Sequence, residues 1–312
     1  MAGILTLTLN PTIDVSTAVE EMVPVHKMRC SAVRRDPGGG GINVARVVRR
    51  LGSDVVAVYP TGGLIGALLR KLTDEEGVQS RTVPIVQETR ENFTVLDEGT
   101  GEQYRFVLPG PEVSEAEWRA CLDSVRCYDG AAGYIVASGS LPPGVPAEVF
   151  GELAEIAQEC GAKLLVDTTK PGLQAALKRG VHMIKPNLRE MRDLMGEPMP
   201  TPADWIAAGR RLVAAGGVEF VALTVAEHGA LLIGRDGAWH AKGLHVEIIS
   251  AVGAGDSFLG AVVWALDKGH APHEALRHGV AAGSAALLTP ATELCRKEDV
   301  ERFIEQVEVV KV

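Results

Sequence analysis

The chain has 312 residues, 46% hydrophobic and 23% charged, with 31 Lys plus Arg against 40 Asp plus Glu and a net charge of −9. These are globular proportions, and a chain of ~300 residues can bury about three quarters of its unfolded surface, which excludes disorder along the whole length. The acidic balance repels nucleic acid and anionic membranes, and an aromatic content of 4% leaves few platforms for stacking bases.

No apolar run reaches the ~18 residues that a membrane helix needs. The apolar start at 4–9 is short, lacks basic residues and is stopped by Asn10-Pro11, so no signal peptide is expected. The five cysteines, Cys30, Cys121, Cys127, Cys160 and Cys295, are scattered, odd in number and form no CxxC pair. That disfavours a disulfide framework or a structural zinc site, and a reducing compartment, the cytoplasm, is expected.

Residues 4–9 alternate branched and polar side chains and predict a strand. A helix is expected over 42–51, a buried strand over 55–59 and a helix near 64–72. The alternation resumes with strands over 131–137, 163–166, 183–184 and 218–224 and a helix over 147–160. Residues 257–266, 272–288 and 297–306 read as helices. This is the pattern of a parallel sheet with crossover helices. Two segments, 12–36 and 89–108, break it with β-branched alternation, and Asp97-Glu98-Gly99-Thr100-Gly101 is a hairpin signal. They predict a small separate sheet.

Pro37-Gly38-Gly39-Gly40-Gly41-Ile42-Asn43 sets four glycines before a helix. Glycine lets backbone N–H groups approach a ligand, and a helix N-terminus favours anions. A flexible loop is the alternative, but Asn43 just inside the helix favours a ligand site. Gly253-Ala254-Gly255-Asp256-Ser257 precedes a second, apolar helix. Neither run is a Walker A motif, because no glycine precedes Lys-Ser or Lys-Thr. Phe258 stands where the dinucleotide fingerprint needs its third glycine. Asp256 reads either as a helix N-cap or as a general base beside an anion-binding helix start. In Lys185-Pro186-Asn187-Leu188-Arg189-Glu190, Asn187 and Glu190 share a helix face. They read either as a box-like cap or as a site in which Glu190 holds hydrated magnesium while Lys185 and Asn187 face phosphates. Lys27, Arg29, Arg90 and Arg105 are solvated charges by default. With Asp14 they are also candidates for a phosphorylated-polyol pocket, since arginine grips phosphate in a fork and aspartate accepts sugar hydroxyls. The eight histidines contain no HExxH, and Ser138-Gly139-Ser140 is not a GxSxG elbow.

Gly38-Gly39-Gly40-Gly41-Ile42-Asn43-Val44-Ala45-Arg46 and Gly253-Ala254-Gly255-Asp256-Ser257 resemble the two signatures of the PfkB, or ribokinase-like, sugar kinases. Thr8-Leu9-Asn10-Pro11-x-x-Asp14, Thr89-Arg90-x-Asn92, Ser138-Gly139-Ser140-Leu141-Pro142 and Lys185-Pro186-Asn187-x-x-Glu190 are similar to the family's other landmarks, in the same order. The resemblance runs from the first strand to Cys295. It points to the phosphosugar branch, which acts on fructose 6-phosphate, fructose 1-phosphate or tagatose 6-phosphate. His26-Lys27-Met28-Arg29-Cys30, the glycine at 40 and Gly101-Glu102-Gln103-Tyr104-Arg105-Phe106 favour the fructose 6-phosphate kinases within it.

The resemblance implies one doubly wound, mainly parallel α/β domain over 1–312, with a small β-sheet lid from about 12–36 and 89–108 through which two chains pair. It implies ATP as cosubstrate, with Asp256 as general base and Gly253, Ala254 and Gly255 as the anion hole. Asp14, Gly39, Asn43, Arg90, Arg105 and Ser138 are expected on the sugar phosphate, with Lys27 reaching it from the neighbouring lid. Lys185, Asn187, Thr224 and Gly229 are expected on the nucleotide side and Glu190 at Mg2+. Relatives hold a monovalent cation between the second signature loop and a later one. Here the family's Asp-Thr before that signature reads Ser250-Ala251, which removes a hydroxyl but leaves backbone ligands. Ser250, Val252, Ala286, Thr289, Ala291 and Glu293 are the candidates for K+. A non-catalytic sugar-phosphate sensor would need Asp14, Asn43 and Arg90 but not Asp256 or Glu190, and both are present. Phe93, Val95, Phe106 and Val107 are candidates for burial between the paired lids, with alternation turning only one of each adjacent pair inward.

Overall fold

Short β-branched runs separated by glycine-ended helices build the chain, and the computed structural model describes residues 3–31, 33–128, 130 and 132–312. In order these hold β1 (Ile4–Leu7), β2 (Thr12–Val19), β3 (Arg34–Gly38), α1 (Gly40–Arg50), β4 (Val55–Thr61), α2 (Gly63–Glu75), β5 (Gln79–Pro84), β6 (Arg90–Asp97), β7 (Gln103–Val107), α3 (Glu115–Arg126), β8 (Tyr134–Ser138) and α4 (Val149–Glu159). There follow β9 (Lys163–Asp167), α5 (Lys170–Leu177), β10 (Val181–Ile184), α6 (Leu188–Met195), α7 (Pro202–Ala214), β11 (Val218–Thr224), β12 (Ala230–Gly234), β13 (Gly237–Ala241), α8 (Ala254–Asp267), α9 (Pro272–Ala286), α10 (Lys297–Ile304) and β14 (Val309–Lys311).

The main sheet has ten strands in the order β14-β13-β12-β11-β10-β9-β8-β1-β4-β5. From β11 to β5 every pairing is parallel, and β12, β13 and β14 add an antiparallel edge. Alternate side chains leave the strands toward two cores. Ile4, Val136, Leu165 and Met183 pack with α1, α8, α9 and α10 on one face. Leu5, Ile135, Val166 and Ile184 pack with α3, α4 and α7 on the other. This is the expected doubly wound α/β architecture. The chain leaves β1 for β4 and β5 and returns to β8 on β1's other side, so the order reverses between β1 and β8. Ligands of open α/β sheets bind beyond the carboxyl ends of the strands at such a point.

The second sheet has the order β3-β2-β6-β7 and is built from the two segments that break the alternation, except that β3 runs two residues past 36 into the glycine run, to Gly38. Its hairpin closes where Gly101, at φ 74°, donates its N–H to the Asp97 carbonyl at 2.8 Å. The strand expected over 131–137 begins at Tyr134; Ala131 lies outside the described residues. The sequence reading has no counterpart for β5, α3, α5, α7 and the β12–β14 edge.

Helices α1 and α8, which carry the two glycine signatures, pack directly on each other. A Cβ on Gly260 would lie 2.7 Å from Val47 Cβ and 3.1 Å from the Val44 carbonyl oxygen. Overpacking of this kind costs about 1–3 kcal/mol. Gly260→Ala should therefore lower the unfolding free energy obtained from urea titration by an amount in that range, and an unchanged midpoint would show that the α1–α8 contact yields without strain.

Candidate active site

The glycine run of α1 sits at the switch point because only glycine fits there. A Cβ on Gly38 would fall 2.3 Å from Asp14 Oδ2, and one on Gly40 would fall 2.2 Å from Ser138 Oγ. Gly39 precedes the helix with φ 109°, in the region that L side chains avoid. The Ile42 N–H donates to Thr8 Oγ1 at 2.9 Å, tying the helix start to the end of β1. Asp14, Gly38 to Gly40 and Ser138 are therefore neighbours, although they come from three separate motifs.

Parallel register builds the next row. Ser138 at the end of β8 lies opposite Asp167 on β9, and Val166 lies opposite Ile184 on β10, one residue before Lys185. Ser138 Oγ donates to Asp167 Oδ2 at 3.4 Å, and Lys185 Nζ lies 3.1 Å from the same oxygen. Burial works against the Lys185 charge, but Asp167, then Asp256 and Glu190, outweigh it and raise its pKa. Asp167 is the site residue that sequence reading passed over. In the sequence it is simply the residue that follows the strand expected over 163–166.

Helix α8 brings in Asp256. The N-cap reading is corrected: Gly253, with φ 78°, caps the helix, and Asp256 lies inside its first turn. Its Oδ2 accepts a hydrogen bond from Asn43 Nδ2 at 2.8 Å. Burial pushes its carboxyl up to about 7, Asp167 adds to the rise, and Asn43 and Lys185 oppose it. A side chain on Gly255 would meet Lys185 Nζ at 3.5 Å, so the α8 N-terminus and the lysine face each other. The first-turn N–H groups of α8 have no intrahelical acceptor and suit an anion.

Asn187 and Glu190 form the cap that was one of their two readings. Asn187 Oδ1 accepts from the Glu190 N–H at 2.9 Å and Glu190 Oε2 from the Asn187 N–H at 2.8 Å. Burial and Asp167 raise the Glu190 pKa, with the Asn187 backbone opposing. Thr224, at the end of β11, bridges to Asn187 and donates its N–H to the Pro186 carbonyl at 3.1 Å. Gly229 is explained by packing, since a Cβ there would lie 2.1 Å from the Ala241 carbonyl oxygen.

The second sheet supplies the other wall. Asp14 accepts from Asn92 Nδ2 at 3.1 Å; burial raises its pKa, and Asn92, Arg105 and Arg90 oppose. Arg90 donates to the carbonyls of Asn10 and Leu108, at 3.1 and 3.0 Å. Its Nε is buried with no protein partner among the described residues. Lys27 and Arg29 are exposed on the chain between β2 and β3 and do not join the cluster. On the sheet's far face Phe93 lies opposite Phe106 and Val95 opposite Tyr104, while Val107 lies opposite Asn92 on the Asp14 face. Phe93 is 38% and Phe106 49% exposed on the single chain.

The two loops expected at a monovalent cation are adjacent, with the Ile249 N–H donating to the Leu287 carbonyl at 2.8 Å. Ser250 Oγ accepts from the Val252 N–H, Thr289 Oγ1 donates to the Ala286 carbonyl, and Ala291 has φ 51°. Glu293 differs from expectation: Arg34 and Arg296 occupy its two oxygens at 2.8 and 2.7 Å, so it is an ion-pair residue rather than a free anionic ligand. Among the described residues no cluster of three or more His, Cys, Asp or Glu side chains forms a cage for a metal ion.

The family model described as "pfkB family carbohydrate kinase" matches residues 7–299. The chain belongs to this family. It is 43% identical over 302 residues to the ATP-dependent 6-phosphofructokinase isozyme 2 of Mycobacterium tuberculosis, covering 97% of this chain and 89% of that protein. Phosphofructokinase-2 from Escherichia coli, in complex with fructose 6-phosphate, superposes with a TM-score of 0.92 at 37% identity, covering 98% of this chain and 99% of that one. The same Escherichia coli enzyme in complex with potassium superposes at 0.94 with 38% identity and the same coverage. The chain is accordingly a sugar-phosphate kinase of the pfkB family.

The raised Asp256 pKa has a stability consequence with a definite sign. The folded chain keeps this proton up to about pH 7, whereas the unfolded chain releases it near the ordinary aspartate value of 3.8. The proton's contribution to stability is complete below the unfolded value and is lost as pH rises through the folded one. Asp256→Asn removes that loss, so the variant's thermal midpoint should gain on the wild type's between about pH 4 and pH 8. A constant difference over that range would mean that Asp256 ionises in the fold as it does in the unfolded chain.

Proposed function

We propose that the protein transfers the γ-phosphoryl group of ATP to the 1-hydroxyl of fructose 6-phosphate, giving fructose 1,6-bisphosphate. The observation that carries the reading is Asp256 itself. It is a carboxylate with a pKa of about 7, inside the first turn of a helix whose N–H groups favour an anion. Phosphoryl transfer needs alignment and charge neutralisation more than covalent chemistry. Asp256 takes the proton of the attacking hydroxyl as its oxygen bonds to phosphorus and the bond to the ADP oxygen breaks. The N–H groups of Gly253, Ala254 and Gly255 hold the equatorial oxygens. Lys185 meets the phosphates from the ends of the central strands, with Asn187, Thr224 and Gly229 on the nucleotide side. Asp14, Gly39, Asn43, Ser138, Arg90 and Arg105 hold the sugar phosphate, and the unpartnered Arg90 Nε suits an anionic ligand.

Asp167 raises the pKa of both Glu190 and Asp256, a like-charge crowding that a cation relieves. Glu190, with Asp167 beside it, fits Mg2+ brought by the nucleotide. Mg2+ commonly takes one or two carboxylates together with phosphate oxygens, and it supplies charge neutralisation. Backbone oxygens of the loops at Ser250, Val252, Ala286, Thr289 and Ala291 are the candidates for K+. The exposed Phe93, Tyr104 and Phe106 on the far face of β6 and β7 support a homodimer through the small sheets, because a small sheet with a partly bare apolar face gains stability from a partner. In that dimer Lys27 reaches the other chain's sugar site. Five free thiols suit a reducing location such as the cytoplasm.

Asp256→Asn should lower kcat by ~10² to 10⁴ while the KM for the sugar phosphate stays within a few-fold. A variant with full kcat would remove Asp256 from the chemistry. Wild-type kcat/KM should rise with pH through an apparent pKa near the Asp256 value of about 7. Comparing kcat/KM for fructose 6-phosphate, tagatose 6-phosphate and fructose 1-phosphate tests the acceptor, and the reading fails if fructose 6-phosphate ranks last. Sedimentation at micromolar concentration, with activity followed on dilution, should show a dimer whose activity falls as it dissociates. A fully active monomer would exclude the shared site. A stable dimer in which Lys27→Ala keeps the wild-type sugar-phosphate KM would remove Lys27 alone.

A further inference from the structure

Arg46 is the largest fully buried side chain, with none of its surface exposed. An arginine is rarely buried so completely, and its charge demands partners. Nη2 lies 2.8 Å from Glu76 Oε1 and 3.7 Å from Asp36 Oδ1. Nη1 donates to three oxygens: the Pro37 carbonyl at 3.0 Å, the Thr292 carbonyl at 3.0 Å and Asn43 Oδ1 at 3.2 Å. The guanidinium thus ties the strand entering the glycine run, the 289–294 loop and α2's C-terminal end to one point. Its third Nη1 contact falls on the residue that donates to Asp256.

A side-chain amide can turn over and exchange its oxygen and nitrogen at little intrinsic cost. Asn43 must present Nδ2 to the Asp256 carboxylate, because its oxygen there would repel the ionised base. Arginine carries donors and no acceptor, so it can meet only the oxygen end of that amide. Asn43 and Arg46 are three residues apart on α1, the spacing that puts them on one helix face. We propose that Arg46 is a positioning residue that locks the Asn43 amide with its NH2 toward Asp256, and so keeps the base ready to ionise. Arg46 itself touches neither substrate nor the reacting atoms. The inference rests on the kinase reading only in naming Asp256 as the base; the orientation of the amide stands apart from it.

The groups that face Asp256 besides Asn43 are Asp167, Lys185 and Asp14, and those facing Arg46 are Glu76, Asp36 and Arg50. Arg50 also pairs with Glu76, at 2.9 Å, but does not reach Asn43. It therefore separates loss of an ion pair from loss of the amide lock. Three proteins are compared: the wild type, Arg46→Met and Arg50→Met. Asp256 is titrated by 13C NMR of carboxyl-labelled aspartate, its signal assigned by its disappearance in Asp256→Asn, and the kcat/KM profile against pH is recorded alongside. In Arg46→Met the Asp256 titration and the acid limb should both move up by about half a pH unit or more. Activity lost at neutral pH should recover at higher pH. Arg50→Met should lose thermal stability without moving the titration. An Asp256 titration unchanged in a folded Arg46→Met would overturn the proposal, as would an equal shift in Arg50→Met. If Arg46→Met does not fold, Arg46→Lys is read by the same criteria, because it keeps the buried cation beside Glu76 but lacks the fork. Absence of phosphoryl transfer in the wild type would sink the kinase reading, and the NMR titration would still decide the role of Arg46.

Discussion

Three aspartates converge where the central strands end, and the site depends on how their mutual repulsion is managed. Asp14, Asp167 and Asp256 come from the second sheet, from β9 and from α8, and both other carboxylates raise the pKa of Asp256. Lys185 and Asn43 oppose that rise, one by charge and one by a hydrogen bond. The balance leaves Asp256 with a pKa near neutrality, where it can accept a proton without being permanently ionised or permanently protonated. Shifting any of the three elements would upset it, because each donor meets its carboxylate at hydrogen-bond distance.

The architecture supplies these donors from rigid pieces. Lys185 and Asp167 stand at the ends of adjacent parallel strands, whose register sets their separation. Asn43 and Asp256 stand in the first turns of α1 and α8, which are held together by a contact so close that Gly260 has no room for a side chain. The second sheet is different in kind. Asp14, Asn92, Arg90 and Arg105 sit on its cleft face, while its far face leaves Phe93 and Phe106 partly bare. One face therefore lines the cleft, and the other leaves an apolar area partly exposed on the single chain.

Much of this was legible in the residues. The four-glycine run stands out in the residues alone, but the contacts that require it, close passage of the backbone by Asp14 and Ser138, come from distant parts of the chain. The two unusual segments announced a second sheet because alternation with a hairpin turn cannot be a crossover helix. The residues carry other local signals as well. Thr201-Pro202 with Asp204 is a capping box with proline at the first helical position, and it starts α7. The turn at Arg235-Asp236-Gly237 joins the β12–β13 hairpin of the antiparallel edge.

By itself the sequence determined the class of fold, the family and the order of the landmarks, and it marked Asp256 as the candidate base, since each signature is a short run of neighbouring residues. Only the tertiary structure decided which landmarks meet. Asn43 and Asp256 are 213 positions apart, and Arg46 reaches Thr292 across 246. Asp167 acquires its role from pairing beside β10, Glu293 is drawn off by Arg34 and Arg296, and Asp256 loses the cap position to Gly253. The physical reason is common to all of these. A side chain's type is a property of the chain, but its protonation, partners and burial are set by which other charges the packing brings within a few ångströms.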